Sequence, residues 1–152
     1  YFAVKDIEGD KLLCGGGIPT FADSTVYDTG TNSLRIRKNN VNVNNDVVGV
    51  TIKQHYIPAG STSAITFTIR AKSTGNNTTK FSLTPLAGIA RPTNLDQFFL
   101  QTFTVTNTWA NYTYTLSSAD VTAIAGQYVY LMIQPNPNWA QNHVWIDSVT
   151  IS

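Results

Sequence analysis

Apolar and polar residues alternate one for one along much of this chain. Leu34 and Ile36 stand against Arg35 and Arg37, and Ile65, Phe67 and Ile69 against Thr66, Thr68 and Arg70. A period of two sends the apolar set to one face of a strand and the polar set to the other, so each stretch predicts a half-buried β-strand. Further strands are expected at 48–57, 80–86, 99–106, 112–116, 128–134 and 144–151, all rich in the β-branched and aromatic residues that suit a pleated surface. The chain opens on an extended segment at 1–4. Between these runs lie "DTGTNS" (28–33), "PAGS" (58–61), "STGNN" (73–77) and "PNPN" (135–138), whose Gly, Pro and Asn tolerate the dihedrals of tight connections. Only 117–124, "SSADVTAI", has a helical look, and its shortness predicts a single turn rather than a packed helix.

Eight or nine strands with neither βαβ alternation nor an internal repeat predict an all-β fold. Its form is a two-sheet antiparallel β-sandwich, with a jelly roll as the leading architecture. At 152 residues the chain makes one domain, 1–152, able to bury about two thirds of its unfolded surface without disulfides or metals. It starts at Tyr1 inside an extended segment, which suggests a fragment of a larger protein.

Composition narrows the partners. Charged residues make up 12% of the chain, about half the usual share, and Thr, Asn and Ser fill the polar positions. A formal charge of +1 with dispersed basic residues gives no footprint for a phosphate backbone, so nucleic acid is not an expected partner. No apolar run approaches the ~20 residues that cross a bilayer, and no basic-then-apolar leader is present, so no membrane insertion is expected. Cys14 is the single cysteine, which excludes an internal disulfide.

The sequence carries little that resembles catalytic machinery. Hydrolysis of a glycoside needs two carboxyl groups about 5–10 Å apart, but Asp23, Asp28, Asp46, Asp96 and Asp120 sit in turn-like positions where a capped turn or solvated loop is expected. His55 and His143 are the only histidines, and no G-x-S-x-G elbow presents a nucleophile. Gly15–Gly17 lacks the Lys-Ser/Thr continuation of a phosphate-binding loop.

A binding surface is easier to find. Sugars lay flat C–H patches on aromatic faces, while amides and charged groups meet their hydroxyls. If Val129, Leu131 and Ile133 point into the core, the pleat turns Tyr128, Tyr130, Met132 and Gln134 to the opposite face. Lys53 and His55, opposite Val50 and Ile52, are candidates for polar contacts. Trp139 follows in a Pro/Asn-rich connection where full burial is hard; sugar stacking, packing over the sandwich end and a subunit contact all stay open for it. Trp145 alternates with Val144 and Ile146 and is either core or an outward ring, whereas Tyr112 and Tyr114 form a core row.

Three stretches in order, "YDTGTNSLRIRKNN", "YIPAGSTSAITFTIRAKSTGNN" and "TFTVTNTWANYTYTL" running on to "HVWIDSVTIS", resemble the CenC-type carbohydrate-binding modules, the family 4/9/22-like jelly rolls. The resemblance spans Tyr27 to Ser152; the segment 1–21 has no clear counterpart. It implies a non-catalytic carbohydrate-binding-type module that attaches a parent polysaccharide-degrading enzyme or phage tailspike to a polysaccharide or cell-surface glycan. The setting would be extracellular, either secreted or at a virion surface. It also implies a structural calcium with Asp147 of "WIDSV" as a ligand and an N-terminal acid, Asp6 or Glu8, beside it. Trp109 matches the family's strand-opening Trp, which implies a structural role. Similar modules end phage tailspikes and fibres, so the competing expectation is a structural C-terminal domain of a homotrimer that binds no sugar itself.

Overall fold

The computed structural model describes residues 2–5, 11–14, 20–37, 50–75, 77–85, 99–134 and 143–152. They form two antiparallel sheets. The first has six strands in the order β1 (Phe2–Lys5), β2 (Lys11–Cys14), β5 (Val50–Tyr56), β10 (Tyr128–Gln134), β7 (Asn77–Pro85) and β8 (Phe99–Val105). The second has five, in the order β3 (Thr20–Asp23), β4 (Ser33–Arg37), β11 (His143–Ile151), β6 (Ile65–Ser73) and β9 (Ala110–Leu116). The architecture is the expected jelly-roll β-sandwich. Each of the nine expected strands has a counterpart. Two further four-residue strands, β2 and β3, have no counterpart among those expected: neither KLLC nor TFAD is long enough to show a clear period of two.

The inner faces build the core the alternation predicts. Leu34 and Ile36 of β4, Phe67, Ile69 and Ala71 of β6, and Val144, Ile146 and Val149 of β11 meet Ile52 of β5 and Val129, Leu131 and Ile133 of β10. Tyr114 and Leu116 of β9 complete it, with the half-buried Tyr112 packed alongside. Burial raises the Tyr114 phenol above its ordinary pKa.

Two bulges break the alternation, and both matter below. Ile52 and Ile57 are both fully buried, yet they are five residues apart, an odd spacing that strict alternation cannot put on one face. The ladder resolves this by pairing Leu131 with Lys53 and Met132 with Thr51, leaving Ile52 as the extra residue. In β11, Ile146 pairs with Ala71 and Ser148 with Arg70, leaving Asp147 extra.

The expected single turn at 117–124 is corrected to an α-helix, α1 (Ser118–Ile124). Ser117 accepts from the Asp120 amide and the Asp120 carboxylate accepts from the Ser117 amide, a reciprocal cap that offsets the cost of starting a short helix. Val121 and Ile124 anchor it on the core.

Candidate functional site

Strands β5 and β10 pair in the middle of the six-stranded sheet. Directly opposed residues share a face, so the register Tyr128↔Tyr56 and Tyr130↔Gln54 groups these four side chains. Val129, Leu131 and Ile133 point inward, so the group lies on the outer face. Tyr56 and Tyr128 are 44% and 47% exposed, large values for rings on a sheet surface. Their centroids are 5.0 Å apart at 51°, within the tilted geometries that aromatic pairs favour. Tyr130 and Gln54 are half-buried beside them. The result is an uncharged aromatic shelf with an amide at its border, able to take an apolar ring face and hydrogen-bond the hydroxyls around it.

Tyr128 and Tyr130 are the residues the pleat predicts here. Tyr56 and Gln54 are not, because the bulge at Ile52 reverses the sense of β5 from Lys53 onward. The one available signal was the odd spacing of Ile52 and Ile57. The same reversal separates Lys53 and His55 from the shelf, correcting their expected place beside it: His55 pairs with Val129 and Lys53 with Leu131, on the side of the sheet that faces the sandwich interior. The His55 ring stands edge-on to the buried Phe67 at 6.0 Å. Burial, then the charge of Lys53, lowers its pKa, so the imidazole is neutral at pH 7. The backbone of Gln134 closes β10, but its side chain lies outside the described residues, as do Trp139, Asp6 and Glu8.

Asp147 is occupied as a staple. Its Oδ1 accepts from the amides of Asp28 (2.9 Å) and Thr29 (3.1 Å), and its Oδ2 from the Thr29 hydroxyl (2.7 Å). Asp28 in turn accepts from Arg70 Nε at 2.7 Å. This donor set does not fit a calcium ion at Asp147. A hard cation wants bare oxygens, whereas three donors and a nearby guanidinium already satisfy this carboxylate. Among the described residues no group of three or more His, Cys, Asp or Glu converges on one point.

Trp145 proves to be an outward ring, and a sealed one. It sits on the outer face of the five-stranded sheet between Arg35 of β4 and Lys72 of β6, yet is only 9% exposed. Its indole Nε1 donates to Asp23 Oδ2 at 3.0 Å, and His143 packs at 5.3 Å. Asp23 Oδ1 also accepts from the Thr25 hydroxyl and the amides of Thr25 and Val26, while Arg35 lies 3.6 Å from Oδ2. The Thr25 and Trp145 bonds hold the Asp23 carboxyl far below the usual carboxylate range, against the opposing effect of burial. The capped turn expected at Asp23 is present; its grip on a tryptophan 122 positions away is not visible in the sequence. Lys72 Nζ lies 5.6 Å from the Trp145 ring centre and 5.8 Å from that of Trp109, so its charge rests between two indoles.

Comparison with known proteins places the fold. No protein-family model matches the sequence, and no curated protein does either. Solved structures match nearly the whole chain. A CBM4 module shares 14% identity at a TM-score of 0.58, covering 94% of this chain and 86% of that one. A module solved with β-1,4-galactotriose, TmCBM61, shares 8% at 0.57, covering 93% and 86%. The enzymatically active domain of tailspike protein 4 of bacteriophage CBA120 shares 12% at 0.59; the match covers 93% of this chain but 18% of the tailspike chain. At these identities the likeness establishes a common fold.

Proposed function

We propose that this domain is a non-catalytic carbohydrate-binding module that fastens a larger extracellular protein, a polysaccharide-degrading enzyme or a phage tailspike, to a polysaccharide. The observation that carries this is the Tyr56–Tyr128 pair with Tyr130 and Gln54 alongside: two phenol rings left open on the middle strands of a sheet, beside a neutral hydrogen-bonding group. A sugar chain laid across β5 and β10 stacks its C–H faces on the rings and gives its hydroxyls to Gln54 and the phenols. Modules with the same fold, one of them solved with a galactotriose, support the choice of ligand class. The non-catalytic role is supported by the engagement of the described carboxylates: Asp23 holds Trp145, Asp28 holds Arg70, Asp120 caps α1 and Asp147 staples the 28–29 turn.

In the competing reading the domain is structural and the same shelf is covered by a neighbouring subunit of a trimer. A glycan array combined with mass measurement in solution separates the two. Binding of a polysaccharide class by a monomer supports the module. A trimer with no glycan bound, in which Tyr128 is protected from solvent, replaces it with the structural role.

A further inference from the structure

The strand that presents Tyr56 outward presents His55 inward, and His55 borders a separate concavity. A cleft of about 280 Å³ lies at one end of the sandwich between His55, the 61–64 segment, Ile65, Ile151 and Ser152. We propose that this cleft is a second binding site, one that holds a single neutral sugar ring, free or at a chain end.

Size sets the first limit. The cleft falls just below the ~300–1,000 Å³ of sites that enclose drug-sized ligands, so it admits one pyranose but not an oligosaccharide. Chemistry sets the second. Ile65 and Ile151 supply an apolar floor for a ring's C–H face, while Ser61, Thr62 and Ser63 bring hydroxyls to the wall. Among the described residues that line it none is Lys, Arg, Asp or Glu, which favours a neutral ligand over an acidic one. The His55 ring is held edge-on to Phe67, and as a neutral imidazole it offers one donor and one acceptor.

The walls are also fixed in advance. Gly60 turns the chain at a φ of 80°, and the Ser61 amide and hydroxyl both donate to the Pro58 carbonyl, at 3.1 and 2.7 Å. Ile57 is tied to the next turn through its own amide to Gln127 (3.0 Å) and its carbonyl to the Gly126 amide (2.7 Å). On the floor side, Thr66 and Ser152 exchange backbone bonds of 2.8 and 2.9 Å, which sets Ile65 beside Ile151. Ser61 and the Ile65–Ile151 floor therefore need little further ordering by a ligand, and low ordering cost favours measurable affinity for a small molecule.

The choice of a sugar as ligand rests on the function proposed above, whereas the cleft's size and lining do not. Methyl β-D-glucopyranoside, methyl β-D-galactopyranoside and methyl β-D-xylopyranoside are each titrated while NMR follows the His55 ring and the amides of 61–64. For a ligand this small the expected Kd is about 1–10 mM. At least one sugar is expected to shift these signals saturably. Ala64→Phe fills the mouth from an exposed position, and is expected to abolish the shifts with the melting temperature unchanged. His55→Ala should weaken binding at least about fivefold, and Tyr128→Ala should leave it intact. No saturable shift up to about 100 mM of all three sugars, or shifts that survive Ala64→Phe, would overturn the proposal. Shifts confined to Tyr56 and Tyr128 would do the same while leaving the shelf in place. Conversely, cleft binding in a domain that retains no polysaccharide would remove the shelf and leave the cleft.

Discussion

Replacing Tyr128 by alanine tests the shelf with a magnitude that follows from the structure. A tyrosine carries on the order of 200 Å² of surface, so 47% exposure leaves about 95 Å² facing solvent, of which a sugar ring covers roughly half. At about 25 cal/mol per Å² that contact contributes about 1.2 kcal/mol, equivalent to a loss in affinity of roughly 5- to 10-fold in Tyr128→Ala. Tyr56→Ala, at similar exposure, should cost a similar amount. The double variant should lose less than the product, because the two rings touch and their effects are coupled. Stability should respond moderately: the variant forfeits the ring pair, worth about 0.5–1.5 kcal/mol, and part of the packing of the buried half of the side chain, together about 1–3 kcal/mol, or about 2–10 °C in a domain of this length. Affinity electrophoresis against a panel of soluble polysaccharides measures the first quantity and thermal unfolding the second. An affinity within twofold of wild type in a folded Tyr56→Ala/Tyr128→Ala protein would refute the reasoning. So would a fall of more than about 10 °C in either single variant, which would make the ring structural.

The remaining predictions concern the two carboxylates that bind the sandwich together. Asp23→Ala strands the buried indole N–H of Trp145 and frees the turn at 25–26, so urea unfolding should show a loss of about 2–4 kcal/mol; a loss under about 0.5 kcal/mol would mean that Trp145 needs no partner. Because the folded-state pKa of Asp23 is depressed, its contribution is complete above about pH 4 and is lost as the pH falls toward the folded value. Asp23→Asn should therefore flatten the acid limb of the stability profile, and an unchanged limb would contradict the assignment. Asp147→Ala removes three hydrogen bonds to the 28–29 turn and should lower the melting temperature by about 4–12 °C. That drop should be equal in calcium and in chelator, whereas a drop seen only in calcium would make Asp147 a metal ligand after all.

The shelf and the cleft lie on opposite sides of one strand, and a single extra residue decides which side chains go where. Without the bulge at Ile52, His55 and Lys53 would stand outward with the tyrosines and Tyr56 would turn to the core. The make-up of an outer face can thus hinge on one register shift, of which the hydropathy pattern shows only the odd spacing of Ile52 and Ile57.

By itself, the sequence determined that this chain is all-β, because alternation at 34–37 and 65–70 is a local property that leaves one apolar face per strand, and only a second sheet can cover it. It also determined which face of β10 points outward, since Val129, Leu131 and Ile133 are inward by the same rule. Only the tertiary structure decided what stands next to that face. Tyr56 and Gln54 reach Tyr128 and Tyr130 through pairing between strands more than seventy residues apart. Asp23 seals Trp145 across 122 residues, and the turn at 28–29 closes on Asp147. These contacts depend on register, and those of Tyr56, Gln54 and Asp147 on a bulge as well, which the energetics of the whole sheet fix rather than any short stretch of residues.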